Sequence, residues 1–452
     1  MKKQIKRLIS ILLVVMSFTL IIGCGGTKNT THPTAIPSYE AYKQTRTLEL
    51  MAFWSPPPTY QHYEWVKECG FTSIVIDRKY DCWLRTGQPA LEPLKNAISY
   101  CSAVGLDGYI AVERGWYISD KLTDEFKNEE GFAGIYTDEP TSRDQIDIIA
   151  DNIRYLKTVY PDKEYSTTLT GIEGLTIQEV IDYYVEKVGD KVKWVNFDFY
   201  PLIGRGNSSE IGTDWLRVLD TYATTSVKTG IKLMSYIATM SYTSGTRRRP
   251  NEADLRYQSY VNLAYGAKGI AHFCYTSPGI PPFDGEFSIG DYALLLPDYE
   301  DLENYENYTR TDTWYSAQKV NEEIASFANV YLSYDWVGTI CNKGTDSATT
   351  AYKCFGEDYN NQLLSHERIK SFSSTEDMII GCMKDKNGYD GFMVVNFSDP
   401  YYKKSNSITI DFDDTQKAVV YKSGEKKIEA LSNGRFTATL DPGEGIFIIP
   451  IA

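Results

Sequence analysis

The chain has 452 residues, 42% of them hydrophobic, and a formal net charge of −14. That balance supplies enough apolar mass for a sizeable core and argues against nucleic acid or an anionic membrane surface as a partner. Four histidines in the whole chain argue against a multi-histidine metal site, and no residue pattern calls for a cofactor.

The first residues read as a targeting segment. Lys2, Lys3, Lys6 and Arg7 precede an apolar run from Leu8 to Ile22, which is short for a membrane span. The run closes on LIIGC, residues 20–24, which resembles a bacterial lipobox. The resemblance implies cleavage after residues 1–23, a lipid on the Cys24 thiol, and anchorage at the extracytoplasmic face of the cell membrane, the bacterial surface. Residues 24–45, opening on Gly, Thr, Asn and Pro, read as a flexible tether.

Residues 46–335 alternate apolar runs with stretches of helical periodicity. The spacing predicts strands over residues 48–54, 72–77, 108–112, 132–137, 165–169, 194–199, 232–238 and 269–275. Helices are predicted over 92–104, 142–160, 177–188, 213–229, 251–265 and 312–332, with Thr141 or Ser142 capping the second after Pro140. Eight strands with helices between them predict a closed parallel (β/α)8 barrel. Residues 276–310, rich in Pro, Gly, Asp and Tyr, form either a lid or a spacer. The pattern then changes. Residues 336–452 carry short alternating strands at 378–383, 391–396, 407–412, 418–421, 435–440 and 445–449, with turn signals at Asn387-Gly388 and Asn433-Gly434. This predicts a β-sandwich. Of the cysteines, Cys69, Cys101 and Cys274 read as small buried fillers, and Cys341 with Cys354 form the one candidate bridge.

The segment GFAGIYTDEP, residues 131–140, is the most telling. An apolar strand ends there in two adjacent carboxylates and a helix-starting proline, the place where such barrels present catalytic groups. Sugar hydrolysis needs two carboxylates flanking one bond. Glu139 is the expected general acid, since the adjacent Asp138 charge tends to raise its pKa. Asp198, in WVNFDFYP (residues 194–201), ends the sixth strand, with Asn196 and Tyr200 sharing its alternation. Glu113, in AVERG (residues 111–115), ends the third strand and either serves catalysis or pairs with Arg114. Asp77 ends the second strand, as a contact to sugar hydroxyls or an ion-pair member. Trp54 and Trp116 are candidate stacking platforms. Tyr236 and Tyr275 are further substrate contacts on the seventh and eighth strands. His272 sits on the eighth strand, where a hydrogen-bonded core role competes with one at the mouth. The run Arg247 to Arg249 is read first as a loop that neutralises nearby acids and second as a grip on a carboxylate-bearing sugar.

With these residues the chain resembles a bacterial glycoside hydrolase of the (β/α)8 type. Residues 131–140 are similar to the fourth-strand motif that holds the acid/base glutamate in β-galactosidase-like families. RPNEADLR (249–256), AYGAKGI (264–270) and FCY (273–275) look like their last helix and eighth strand, and GFMVVNF (391–397) with LDPGEGIF (440–447) resembles the sandwich that trails such barrels. The resemblance implies a glycosidase acting on an oligo- or polysaccharide without a metal or cofactor. One departure stands out. The retaining clan carries its nucleophile glutamate at the end of the seventh strand, and KLMSYIATM (232–240) has no acid there. That absence leaves Asp198 or Glu113 as the second carboxylate, an inverting enzyme, or a non-catalytic surface lipoprotein that binds glycans on a degenerate barrel. An adhesion or structural protein is a third class. Asp198 and Tyr200 also resemble the sixth-strand Asp and Tyr of chitinase-like barrels, which assist attack by the substrate's own acetamido group.

Overall fold

The computed structural model of the chain describes residues 32–37, 48–76, 91–118, 124–205, 207–241, 247–277, 293–296, 308–356 and 362–452. Cys24, Cys82 and Asp77 lie outside the described residues, as does most of the 276–310 segment. Within that segment Leu295–Leu296 pairs antiparallel with Thr309–Arg310.

Eight parallel strands close into a barrel: β1 (Glu49–Ala52), β2 (Ser73–Ile76), β3 (Asp107–Val112), β4 (Phe132–Thr137), β5 (Glu164–Leu169), β6 (Trp194–Asp198), β7 (Lys232–Ala238) and β8 (Gly269–Phe273). The ring closes where β8 pairs with β1, Glu49 opposite Gly269 and Ala52 opposite His272. Helices α1 (Tyr60–Glu68), α2 (Leu91–Val104), α3 (Arg143–Val159), α4 (Ile177–Val188), α5 (Trp215–Thr229), α6 (Glu252–Ala264) and α7 (Asp312–Tyr331) follow the strands. Their starts follow local chemistry. The Ser142 side chain accepts from the Gln145 backbone N–H at the head of α3, a cap worth about 1 kcal/mol. Thr176 and Glu179 close a reciprocal capping box on α4.

The two-residue period of the strands sorts their side chains into two layers. Ile135 on β4 faces the helices and Tyr136 faces the barrel axis, where it joins Met51, Val75, Tyr109, Met234, Tyr236 and Ala271. This interior is packed, as barrels of eight strands are. Gly134 is required by close approach, since a Cβ there would stand 1.9 Å from the Glu164 carbonyl oxygen.

The C-terminal domain pairs a seven-stranded sheet with a three-stranded one built from Ile369–Ser374, Asn406–Phe412 and Arg435–Leu440. Ile380, Phe392, Val394, Ile410, Phe412 and Ile448 fill the space between the sheets. The larger sheet begins with Tyr334–Asn342, directly after α7. Its outer face lies on α6. At Gly381 a Cβ would come within 2.1 Å of the Ala264 carbonyl oxygen, so the sheet and helix meet backbone to backbone. The interface also holds a buried ionic knot. Arg248 bridges Asp254 on α6 and Asp399 of the C-terminal domain, 3.0 Å from the latter, and reaches Ser209 at 2.9 Å. Arg249 pairs with Asp312 at the head of α7. Arg248 and Arg249 thus neutralise nearby acids, as the first reading of the run expects, but Arg248 does so buried at the domain junction and not on a solvated loop. Cys341 and Cys354 are both free thiols, as are Cys69, Cys101, Cys274 and Cys382, so the candidate bridge is absent.

Candidate active site

The acids converge at the C-terminal mouth of the barrel. β4 ends at Thr137, and Asp138 and Glu139 follow it before α3. Glu139 has φ +34, a conformation that costs a non-glycine residue of order 1–3 kcal/mol and persists only where surroundings enforce it. The Arg114 guanidinium is one such constraint, donating to the Glu139 backbone carbonyl at 2.7 Å. Arg114 therefore braces the turn through its main chain. With the turn so held, Glu139 stands near enough to the Asp198 carboxyl at the end of β6 for the two to interact electrostatically.

That proximity has an electrostatic consequence. Burial, then the charges of Glu139 and Asp138, push the Asp198 carboxyl up to about 7. Two carboxylates this close cannot both ionise at ordinary cost, so the pair retains a proton near neutrality. The adjacency of Asp138 and Glu139 is thus felt on a third acid, sixty residues away in sequence.

A column of hydroxyls supports Asp138 from below. Tyr136 Oη donates to Asp138 Oδ1 at 2.9 Å and lies 2.6 Å from Thr168 Oγ1. Tyr236 Oη donates to Tyr136 Oη at 3.1 Å. These groups sit on the axis-facing positions of β4, β5 and β7, and burial pushes the Tyr136 phenol well above its usual range. The column consists of neutral donors that orient Asp138 without supplying charge.

Aromatic rings line one side of the mouth. Trp54, half-buried with φ +64, lies 5.2 Å from the Phe273 ring. Tyr200 stacks on Phe273 at 5.4 Å, and Phe53 lies beneath, edge-on to Tyr136. Trp116 stands farther out on the loop after β3, 55% exposed. The single buried Asn152 pins that loop, donating to the Trp116 carbonyl and accepting from the Ile118 N–H.

The structure sorts the sequence candidates. It brings together Glu139, Asp198, Asp138, Tyr200 and Trp54. Glu113 is half-buried at the end of β3, where its carbonyl accepts from the Trp116 N–H. Asn196 is a correction: it shares the alternation of Asp198 but lies one layer below the mouth, buried and donating to Ser166, not among the substrate contacts expected of it. Tyr236 is a second: it is buried under the acids and bonded to Tyr136, so it does not meet a substrate. Tyr275 is a third. β8 ends at Phe273, the chain bends, and the Tyr275 hydroxyl accepts from Trp314 on α7. His272 faces outward, edge-on to Phe71, and burial alone pushes it down to about 3. Both of its ring nitrogens are buried without a partner among the described residues, contrary to the hydrogen-bonded role expected. Sequence reading missed Tyr136, Thr168, Arg114 as a brace, and Phe273. The available signal was Tyr136 standing two residues before Asp138, on the same face of the strand.

No family model and no curated protein matches this chain. Solved structures do. A family 39 glycoside hydrolase from the gut symbiont Bacteroides cellulosilyticus WH2 aligns with a TM-score of 0.50 at 12% identity, over 90% of this chain and 81% of that one. A chain described as a glycoside hydrolase aligns with a TM-score of 0.53 at 11% identity, over 90% and 93%. A family 27 β-L-arabinopyranosidase from Geobacillus stearothermophilus gives 0.50 at 11%, over 92% and 99%. At these identities the shared property is the fold, a (β/α)8 barrel with a β-rich domain behind it.

Proposed function

We propose that the chain is an exported glycoside hydrolase that cleaves an O-glycosidic bond with the carboxyl pair Glu139 and Asp198. What carries this reading is the pair itself: two strand-end acids that interact at the barrel mouth, with burial and the Glu139 and Asp138 charges pushing the Asp198 carboxyl up to about 7. A glycosidase needs one protonated and one ionised carboxyl at the same pH, and burial with like-charge repulsion produces that division. The solved structures of similar fold are glycoside hydrolases, which supports the class of reaction. Trp54, Tyr200 and Phe273 form a wall suited to a sugar ring. In this reading Glu113 at the end of β3 and the exposed Trp116 on the loop after it are further substrate contacts. By its lipobox the protein is held on the outer surface through Cys24.

The division of labour follows the proton. The expectation from sequence gives the donor's role to Glu139. The proton held on Asp198 favours Asp198 as donor, with Glu139 as the carboxylate that attacks or stabilises the oxocarbenium-like centre. The seventh-strand acid of the large retaining clan is missing, since β7 runs out at Ala238 and Thr239 donates to the Cys274 carbonyl. That absence favours a sugar-binding barrel without turnover, the second reading. Against it stands the raised Asp198, because a binder gains nothing from a carboxyl kept protonated to neutrality.

The test uses aryl glycosides with poor and good leaving groups. Asp198→Asn is expected to lose most on the poor leaving group and recover on the good one, which needs no proton. Glu139→Gln is expected to lose activity on both. Full activity in Glu139→Gln removes the proposal.

A further inference from the structure

Residues 32–37 precede the barrel in sequence, yet they rest on the C-terminal domain. The Pro33 carbonyl accepts from the Ala452 backbone N–H at 3.1 Å, and the Ala35 carbonyl accepts from the Tyr389 hydroxyl at 2.9 Å. Proline fixes φ and lacks an N–H, so Pro33 and Pro37 favour an extended chain that offers carbonyls. The segment lies between Cys24, at the lipobox, and Leu48, at the entry to β1. The chain that follows the lipobox thus meets the C-terminal domain before it enters the barrel.

Strand register fixes which end of the molecule receives the segment. β8 starts at the N-terminal end, or floor, of the barrel, and Lys268, just before it, donates to the Tyr334 carbonyl. Tyr334 opens the larger sheet and pairs with Asp385, whose N–H donates to the Tyr389 carbonyl. The strand Gly445–Ile451 runs antiparallel to Asp390–Asn396, so Ala452 stands at the same end as Tyr389. The far end of Asp390–Asn396 lies level with the mouth. There Phe397 stacks on Trp215 at the head of α5, and Asp399 meets Arg248 ahead of α6. Tyr389 and Ala452 therefore belong to the floor end and the acid pair to the other. Helix α7, with 20 residues, spans about 30 Å and sets the scale of the distance between the two ends.

We propose that residues 32–37 are a docking strap that fixes the lipid anchor to the floor end, so that the protein stands on the bilayer with its mouth turned outward. This rests on the lipid anchor at Cys24 and not on the acid pair. Chain length gives the strap its effect. Without it the tether from Cys24 runs free for 24 residues to Leu48 and reaches about 80 Å, enough for any face of the protein to meet the bilayer. With it the free part ends at Pro33, nine residues on, and reaches about 30 Å. The floor end is then held close to the headgroups, and the mouth stands about a helix length farther out, open to glycans beyond the membrane.

The test uses the full chain, expressed in bacteria and added to phosphatidylethanolamine–phosphatidylglycerol vesicles that carry an acceptor dye on a headgroup. A donor dye is coupled to an azide-bearing residue in place of Asn387, exposed in the turn before Tyr389, or in place of Tyr117, exposed on the loop after β3. Energy transfer from position 387 is expected to be at least twofold that from position 117. Replacing residues 32–37 with Gly and Ser is expected to erase that gap and to quicken amide exchange at Ala452. Intact-mass analysis of the same sample reads acylation of Cys24 separately. Acylated protein with equal transfer from both positions, or with a gap that the replacement leaves unchanged, overturns the strap and keeps the anchor. Protein that carries no acyl group and does not sediment with the vesicles overturns the anchor, and the orientation with it.

Discussion

The two ends of the barrel each hold a raised carboxyl but surround it differently. At the N-terminal end burial and the Glu49 charge raise Asp107, three lysines pull it back, and Glu49 itself lies 3.2 Å from Lys193. At the C-terminal end the charges acting on Asp198 are those of Glu139 and Asp138, both negative. The nearby arginine, Arg114, spends its hydrogen bond on a backbone carbonyl. Acids compensated by lysines are what stability alone selects. Acids crowded together store repulsion, and such storage concentrates at sites of chemistry.

The largest effects should come from breaking the crowded end. Asp198→Asn removes the retained proton and is expected to lower kcat/KM on an unactivated glycoside by about 10²–10⁴, with little loss of melting temperature because a like-charge contact is relieved. The pH dependence carries a sign. The folded Asp198 pKa of about 7 lies above its ordinary value of 3.8, so between these limits the folded state binds more protons than the unfolded one. This contribution to stability is fully present below about pH 4 and is lost as pH rises toward 7. Activity that depends on the Asp198 proton falls through the same upper limit. Denaturant titrations from pH 4 to 8 should show this slope in wild type and a flatter one in Asp198→Asn. An unchanged slope separates Asp198 from the proton.

The strands that build this end were legible because barrel strands are buried on both faces and read as apolar runs. β4 and β7 have the bounds the pattern predicts, and Asp138, Glu139 and Asp198 announce themselves as charges closing such runs. The carrier of the proton was not legible, because it depends on a contact between β4 and β6. The Tyr136, Thr168 and Tyr236 column reads in sequence as core. Tyr275 shows the opposite failure, since alternation aims it at the axis only if the strand continues past Phe273, and the strand does not. Helix α1, sequence YQHYEWVKE, was missed because its polar composition hides a short buried stripe of His62, Tyr63 and Val66. The hydrophilic strand Ile369–Ser374 was missed for the same reason, and Glu425–Ala430 because it is an edge strand with no buried residue to set a pattern.

The next effect belongs to a compensated cluster. Arg248 stands between buried Asp254 and Asp399, so Arg248→Ala leaves two carboxylates without their cation. The expected loss is about 3–5 kcal/mol of stability, read from chemical denaturation. Arg248 also reaches Ser209 in the hairpin Leu202–Arg205 and Ser208–Ile211, which leaves the barrel just after Asp198. If the C-terminal domain steadies that segment through Arg248, then hydrogen exchange in residues 202–211 should quicken more than in α3. Equal quickening in both reduces Arg248 to a global staple.

The smallest effect separates orientation from charge. Tyr236→Phe deletes the donation to Tyr136 and a weak contact to Met51 Sδ at 4.0 Å, at a cost of about 1 kcal/mol. The phenyl ring keeps the packing against Phe53. Tyr136 keeps its bond to Asp138 but loses the donor that polarises it, so Asp138 is held less firmly while every charge at the mouth stays in place. The expected result is a fall in kcat of less than roughly tenfold, with KM and the upper pH limit unmoved. A shifted pH limit would show instead that the hydroxyl column tunes the Asp198 proton directly, extending the chemistry of the mouth one layer down into the barrel.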